Sequence, residues 1–153
     1  MKKTQTLFLL ACIVVFVFSC GVTKNNAELS DITEAERAVF SQTEGDTIQI
    51  VNEDVEYDII IIEPGFNMWL LSIAKPEGYY SQSYLESRNY LMVTTWNQRV
   101  LQPQQFNTNL YEMQIDYQQG IDYGYEVNYK LYNYFIYFQR KYRQRLGPFT
   151  PRI

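Results

Sequence analysis

The sequence predicts a small α+β domain behind a secretory signal, and three observations support this. The segment at residues 55–62 ends in four consecutive isoleucines and is bounded by turn residues, which is typical of a strand. Two later segments, 83–100 and 123–145, repeat apolar residues at helical spacing. The first 20 residues place a short apolar run before a cysteine. We therefore expect a small, mostly antiparallel sheet packed by two or three helices, after a cleaved signal peptide.

The apolar run near the start covers residues 7–19 and follows two lysines. It is shorter than the roughly 20 residues that a helix needs to cross a bilayer. It matches the apolar centre of a secretory signal, which follows a positively charged start. We predict a signal peptide at residues 1–19.

Cys20 follows Val17, Phe18 and Ser19. An ordinary cleavage site has small residues at both key positions, which Val17 and Phe18 do not supply. An aliphatic residue, any residue, a small residue and then cysteine is the pattern of bacterial lipoprotein signals. A structural thiol is the alternative, but Cys12 would leave with the signal, so Cys20 would have no disulfide partner. We predict that Cys20 carries a lipid anchor of the diacylglyceryl and palmitate type.

Composition excludes several kinds of active site. The chain has no histidine, so a Ser-His-Asp triad, a Cys-His pair and ordinary zinc sites are excluded. The glycines are scattered singly, which excludes a Gly-rich phosphate loop. Any enzyme here would depend on carboxylates, Tyr, Lys or Arg. We expect no enzyme activity, no cofactor, no metal and no nucleic-acid partner.

The mature chain suits one domain. We assign residues 20–46 to a lipidated N-terminus and linker, 47–147 to a single α+β domain and 148–153 to a C-terminal tail. Thr33 and Glu36 have the spacing of a capping box, so a short helix is expected in the linker.

Within the domain we expect strands at 47–51 and 55–62, forming a hairpin, and helices at 66–74 and 83–100. The four consecutive isoleucines at 59–62 place apolar side chains on both faces, which predicts a strand covered on both sides. Ser83 and Glu86 form a second capping-box pair. Moderate alternation at 110–117 predicts another strand. Residues 123–131 alternate like a strand, but the absence of Gly and Pro from 125 to 145 favours a helix.

Three stretches carry a resemblance to a known family: "YDIIIIEPGFNMWLL", "KPEGYYSQSYLESRNYLMVTTWNQRV" and "IDYGYEVNYKLYNYFIYF". Across residues 57–142 the sequence resembles a family of small Bacteroidetes lipoproteins classed only as a domain of unknown function. The resemblance implies a lipoprotein and supplies no catalytic or binding residue. In that group, surface-exposed lipoproteins tend to carry acids just after the cysteine, and "GVTKNN" has none. The resemblance therefore implies the periplasmic face of the outer membrane.

Charge is distributed unevenly along the chain. Acids concentrate in residues 28–63, where Arg37 is the one base, whereas 130–152 contains bases and no acid. This asymmetry indicates either an interaction surface or two ends that dock on each other. The first alternative makes the cluster Arg140, Lys141, Arg143 and Arg145 a candidate site for anionic lipid or lipopolysaccharide phosphate. The second assigns these cations to the favourable end of a helix dipole.

Aromatic side chains supply the other candidates. The chain has 14 tyrosines, and tyrosine suits both half-buried core positions and sugar-binding surfaces. Tyr79 and Tyr80, beside a glycine in a polar loop, are candidates for an exposed contact or a loop anchor. Trp69 and Trp96 lie on apolar helix faces and are predicted to belong to the core.

Four carboxylates are candidates for acid–base chemistry. Asp122 and Glu126 lie where the last helix would begin, so they favour helix capping and the helix dipole. Paired with Asp116 or Glu63, they would serve a glycosidase only across a cleft, with one carboxyl of raised pKa.

Three functions follow from these observations. The first is an anchored, non-enzymatic envelope module that binds a protein partner or has a structural role. The second is a module that binds glycan or anionic lipid on a Tyr-rich surface, and an aromatic-floored groove would favour it. The third is a carboxylate-dependent hydrolase.

Overall fold

The computed structural model describes residues 31–45, 47–53 and 56–153. In these ranges the chain forms four helices and one two-stranded antiparallel sheet, which confirms the α+β class. The elements in chain order are α1 (Glu34–Phe40), β1 (Thr47–Asn52), β2 (Tyr57–Ile62), α2 (Phe66–Ser72), α3 (Gln82–Val100) and α4 (Gly124–Lys141). The predicted signal peptide and Cys20 lie outside the described residues. None of the helices in these ranges combines the length and hydropathy needed to span a membrane.

Helix α4 is the central element of the fold. β1, α2 and α3 all pack against it, and its predicted stripe of apolar residues is buried. Neighbouring positions such as Asn128 and Tyr129 are buried too, because a helix with partners on several sides has little exposed surface. The helix predicted over this segment is confirmed, and the strand alternative at 123–131 is wrong. Helix α3, expected to lie on the sheet, has α4 as its main neighbour.

The sheet is buried on one face. Ile50 and Ile61 point into the core, whereas Ile60 and Ile62 are 59% and 69% exposed. Ile60 pairs with Gln49 across the antiparallel register. The prediction that this strand is covered on both faces is therefore wrong, since a two-stranded sheet resting on α4 has an open outer face.

The predicted strand at 110–117 is also wrong, because side chains of α3 take the place of a neighbouring strand. The Asn97 amide donates to the Ile115 carbonyl and accepts from the Ile115 N–H, each at 2.8 Å. The Trp96 indole donates to the Met113 carbonyl at 2.9 Å. These bonds hold the segment in an irregular path along α3.

One of the two predicted capping boxes is present. The Glu36 N–H donates to Thr33 Oγ1 at 3.2 Å, and Glu36 Oε2 accepts from the Thr33 N–H at 3.0 Å. The second pair, Ser83 and Glu86, is wrong because α3 begins earlier than expected. Ser81 caps α3, and its hydroxyl accepts the N–H of Tyr84 at 3.3 Å.

Aromatic side chains build much of the core. Trp69 and Trp96 are buried, as predicted. Seven tyrosines are buried as well: Tyr57, Tyr111, Tyr117, Tyr123, Tyr129, Tyr132 and Tyr137. Gly65 starts α2 with φ +83°, and an added Cβ would lie 2.6 Å from the Val39 carbonyl oxygen. Only glycine allows α1 and α2 to approach this closely.

Candidate functional site

The predicted anion site at the end of α4 is occupied by the acidic part of the same chain. The Arg140 side chain has no exposed surface. Its Nε and Nη2 atoms donate to the two carboxylate oxygens of Glu36, the latter at 2.7 Å. Nη1 lies 3.3 Å from Asp31 Oδ2. This arrangement matches the alternative in which the acidic and basic ends dock on each other.

Backbone carbonyls complete the surroundings of Arg140. Nη1 donates to the Pro151 carbonyl at 3.0 Å, and Nη2 donates to the Asp31 carbonyl at 3.2 Å. Every guanidinium nitrogen therefore has an acceptor within the chain. Burial alone would raise the pKa of Glu36, but the hydrogen bonds from Arg140 and Thr33 outweigh it, and the pKa lies below its ordinary value.

Lys141 has a similar role beside α2. Its Nζ lies 2.7 Å from Glu63 Oε1 and 2.9 Å from the Pro64 carbonyl oxygen. The Tyr142 hydroxyl donates to the same Glu63 oxygen at 2.8 Å. In the predicted cluster, Arg143 and Arg145 are the exposed members.

The candidate carboxylates have local partners. Asp122 Oδ1 accepts from the Gly124 N–H at 2.9 Å, and Glu126 pairs with Lys130 at 2.6 Å. Asp116 Oδ1 accepts from the Gln118 amide at 3.2 Å. Among these carboxylates, Asp122 supports the start of α4, although Tyr123 occupies the N-cap position.

A groove of about 620 Å³ contains a different carboxylate pair, Glu86 and Asp122. Gln82 Nε2 joins them, at 2.8 Å from Glu86 Oε1 and 2.7 Å from Asp122 Oδ1. Neither carboxylate is buried. A glycosidase needs one carboxyl group in a desolvating surrounding. Neither carboxyl group of this pair has such a surrounding.

The loop before α3 holds the candidate Tyr79. Its side chain is 60% exposed, and Lys75 Nζ lies 5.5 Å from the ring centroid. The Tyr125 hydroxyl accepts from the Gly78 N–H at 2.5 Å, and the Tyr129 hydroxyl donates to the Lys75 carbonyl at 2.8 Å. Two tyrosines of α4 thus anchor this loop.

A second groove, of about 420 Å³, runs between α3 and α4 beneath the C-terminal segment. We call it the aromatic groove, and its aromatic and charged lining consists of Tyr80, Tyr84, Arg88, Tyr132, Phe149 and Arg152. Residues 84 and 88 on α3 are four apart, so they project from one face of that helix. The groove therefore forms where two helix faces and the chain terminus meet.

The aromatic groove contains a connected series of planar groups in contact with one another. The rings of Tyr80 and Tyr84 are 4.7 Å apart and nearly parallel, at 11°. The Arg88 guanidinium carbon lies 4.9 Å from the centroid of Tyr84 and 3.4 Å from that of Phe149. The Tyr132 ring meets Tyr80 edge-on at 5.4 Å.

Three phenolic hydroxyls lie together in this series. Burial raises the pKa of Tyr132, and hydrogen bonding with Tyr84 and Tyr80 raises it further. Burial also raises the pKa of Tyr80. Tyr132 and Tyr80 therefore stay neutral at physiological pH, and a phenol hydroxyl both donates and accepts hydrogen bonds.

Of the groove residues, Tyr80 was a candidate from the sequence, whereas Tyr84, Arg88 and Tyr132 were not. The only sequence signal for these three residues was their helical spacing. Spacing within a helix does not show which residues of another helix lie opposite. Phe149 reaches the groove because the C-terminal segment is fixed at two points. Arg140 binds the Pro151 carbonyl, and the Leu146 N–H donates to the Gln139 side chain at 2.6 Å.

Comparison with known proteins adds a family and no activity. A search of curated proteins and a search of solved structures each find no match. A family of unknown function, DUF6146, matches residues 7–150. The match confirms the expected domain of unknown function; it names neither a bacterial group nor a lipid anchor. The chain belongs to this family, DUF6146.

Proposed function

We propose that the chain is a membrane-tethered, non-enzymatic module of the bacterial cell envelope that binds a glycan in its aromatic groove. The proposal rests on the shape and lining of the aromatic groove. Its volume of about 420 Å³ accommodates one or two sugar rings, and Tyr80, Tyr84 and Tyr132 line it. Sugar rings combine apolar faces with hydroxyls, which suits amphipathic tyrosines.

The observed ion pairs favour this function over lipid binding at the end of α4. Arg140 is buried against Glu36, and the Lys141 side chain is 12% exposed and paired with Glu63. A headgroup phosphate would have to displace these carboxylates. The aromatic groove requires no such displacement.

The tether is the lipid on Cys20, and the support for it is the signal-like sequence at residues 1–20. The residues that follow Cys20 lack acids, so we place the anchor in the outer membrane, with the domain facing the periplasm. A diacylglyceryl group supplies two buried chains, which is enough for stable anchoring.

Titration of the detergent-solubilised full chain with an oligosaccharide panel tests the groove. Tyr84→Ala removes a groove hydroxyl and the ring that contacts both Tyr80 and Arg88, so we expect affinity to fall about tenfold. Tyr90→Ala is the matched control, because Tyr90 is a part-exposed tyrosine of the same helix that lines the other groove. Equal affinity of Tyr84→Ala and the unaltered chain would contradict the proposal.

Mass spectrometry of the membrane fraction tests the tether. We expect an acylated N-terminal Cys20, and a Cys20→Ser chain that no longer fractionates with membranes. A mature protein beginning at another residue would refute the anchor without affecting the groove.

A protein partner is a second candidate, favoured by the open face of the sheet. Ile60 and Ile62 are exposed there, and contiguous apolar surface often marks an interaction site. Crosslinking in intact envelopes should give an adduct that Ile62→Glu abolishes and Tyr84→Ala retains. Adducts that survive Ile62→Glu would argue against this face.

A further inference from the structure

We propose that the aromatic groove selects saccharides bearing an anionic group, a carboxylate or a phosphate, and that Arg88 and Arg152 bind it. The inference rests on the proposed function, because it specifies the class of glycan.

The groove is positively charged in an acidic protein. The chain has a net charge of −4, yet the groove contains Arg88 and Arg152, and none of the described residues that line it is acidic. Charges in a concave site with low-dielectric walls act more strongly on a ligand than charges on an open surface. An anion is therefore drawn to this groove and not to the acidic surface elsewhere.

Arg88 is held ready for an anion. Its guanidinium carbon contacts two rings, at 4.9 Å from the centroid of Tyr84 and 3.4 Å from that of Phe149. Cation–π contacts restrict the position of the group without using its N–H donors, which stay available to a ligand. In the described part of the chain, these donors have no hydrogen-bond acceptor or ion-pair partner. Planar carboxylate and phosphate groups suit two such parallel donors.

Arg152 supplies the second charge. It is exposed, lies in the C-terminal segment at the groove and has no ion-pair partner in the described residues. Its neighbour Pro151 is buried, with its carbonyl bound to Arg140. The backbone that carries Arg152 is thus fixed, while the side chain stays free to close on a ligand.

The neutral part of the sugar has its own surroundings in the groove. Tyr80, Tyr84 and Tyr132 bring their hydroxyls together beside the Arg88 guanidinium. They match sugar hydroxyls as donors and acceptors. A ligand with a charged substituent on a polyhydroxylated ring uses both halves of the groove.

Calorimetric titration of the full chain in detergent tests the inference. The probes are galacturonate oligomers, the same oligomers as neutral methyl esters, and a hexose 6-phosphate. We expect the acidic oligomer to bind at least tenfold more tightly than its ester, with an affinity that falls as salt is raised. Arg88→Gln and Arg152→Gln should each reduce acidic binding about tenfold. Arg37 is an exposed arginine of α1, so Arg37→Gln should leave binding of the acidic oligomer unchanged.

The outcomes separate the two proposals. Equal binding of ester and acid, or undiminished acidic binding in Arg152→Gln, overturns the anionic preference and leaves glycan binding standing. Failure of every saccharide to bind overturns both. If Arg88→Gln unfolds, Arg152→Gln decides, since that exposed side chain makes no hydrogen bond or ion pair with the described residues. Binding of the phosphate probe but not of galacturonate assigns the anion as a phosphate.

Discussion

Two arginines that both contact the C-terminal segment have opposite surroundings. Arg140 is fully buried, and acceptors on Asp31, Glu36 and Pro151 meet all its nitrogens. Arg88 lies at the groove in contact with two rings, and its N–H donors have no acceptor among the described residues. The sequence makes the first residue conspicuous, because it belongs to a basic cluster, and gives the second no prominence.

The comparison shows that local charge density does not identify a binding site. In the basic cluster at the end of α4, Arg140 pairs with Glu36 of α1 and Lys141 pairs with Glu63 of the β2–α2 turn. A buried donor without an acceptor destabilises the protein, so the fold pairs its buried donors. Only donors that remain without an acceptor are available to a ligand.

The largest expected effect is on the Arg140 side of the comparison. Arg140→Met leaves Glu36 buried without a counter-charge, so we expect the free energy of unfolding to fall by about 3–5 kcal/mol. Denaturant unfolding of the full chain measures it. The double variant Arg140→Met, Glu36→Met should recover much of the loss, because no uncompensated charge remains. A single variant as stable as the unaltered chain would show that the ion pair is not what fixes this region.

Acid should weaken the same region. The folded pKa of Glu36 lies below the ordinary value of 4.5. Its stabilising contribution is therefore complete above pH 4.5 and is lost as pH falls through the lowered pKa. The stability difference between the unaltered chain and Glu36→Gln should shrink over that interval. Unfolding titrations at pH 7 and stepwise below 4.5 test this, and a constant difference would contradict it.

A smaller loss is expected on the Arg88 side. Arg88→Gln removes two cation–π contacts, each worth about 0.5–1 kcal/mol at a part-exposed site. We expect the free energy of unfolding to fall by about 1 kcal/mol, which is a fraction of the loss expected for Arg140→Met. Denaturant unfolding of the Arg88→Gln and Arg140→Met chains under the same conditions measures the ratio of the two losses. A loss as large as that of Arg140→Met would mean that Arg88 is a structural residue and not a ligand donor.

The smallest effect is expected at Arg143. This exposed residue belongs to the predicted anionic-lipid cluster, and Arg143→Gln should change stability by less than about 0.5 kcal/mol. Flotation with anionic vesicles should give the same bound fraction for both chains. A clear drop in vesicle binding would restore the end of α4 as a lipid site.

Local patterns predicted the elements that depend on neighbouring residues. The Thr33–Glu36 box starts α1 and the long apolar stripe forms α4, because helical spacing and capping act within a few residues. The strand prediction for residues 110–117 was wrong for the opposite reason. Its alternation matches a strand, but Asn97 and Trp96, distant in sequence, bind its backbone instead.

The groove was less predictable than the fold. Tyr80 was recognised as a candidate, whereas Arg88 and Phe149 come from segments that approach only after folding. The number of partners around each arginine depends on tertiary contacts such as Arg140 with Glu36. The uneven charge gave docking of the acidic and basic ends as one of two alternatives, but no sequence pattern distinguished the paired Arg140 from Arg88.

The central position of α4 has a consequence for synthesis. β1, α2 and α3 bury their apolar faces on a helix that the ribosome completes only after residue 141. The earlier elements therefore have no core to join while most of the chain is being made. The groove wall at Phe149 and the Pro151 carbonyl bound by Arg140 emerge later still. A chain ordered this way completes its core only after these late segments are made, which is compatible with the export that we propose.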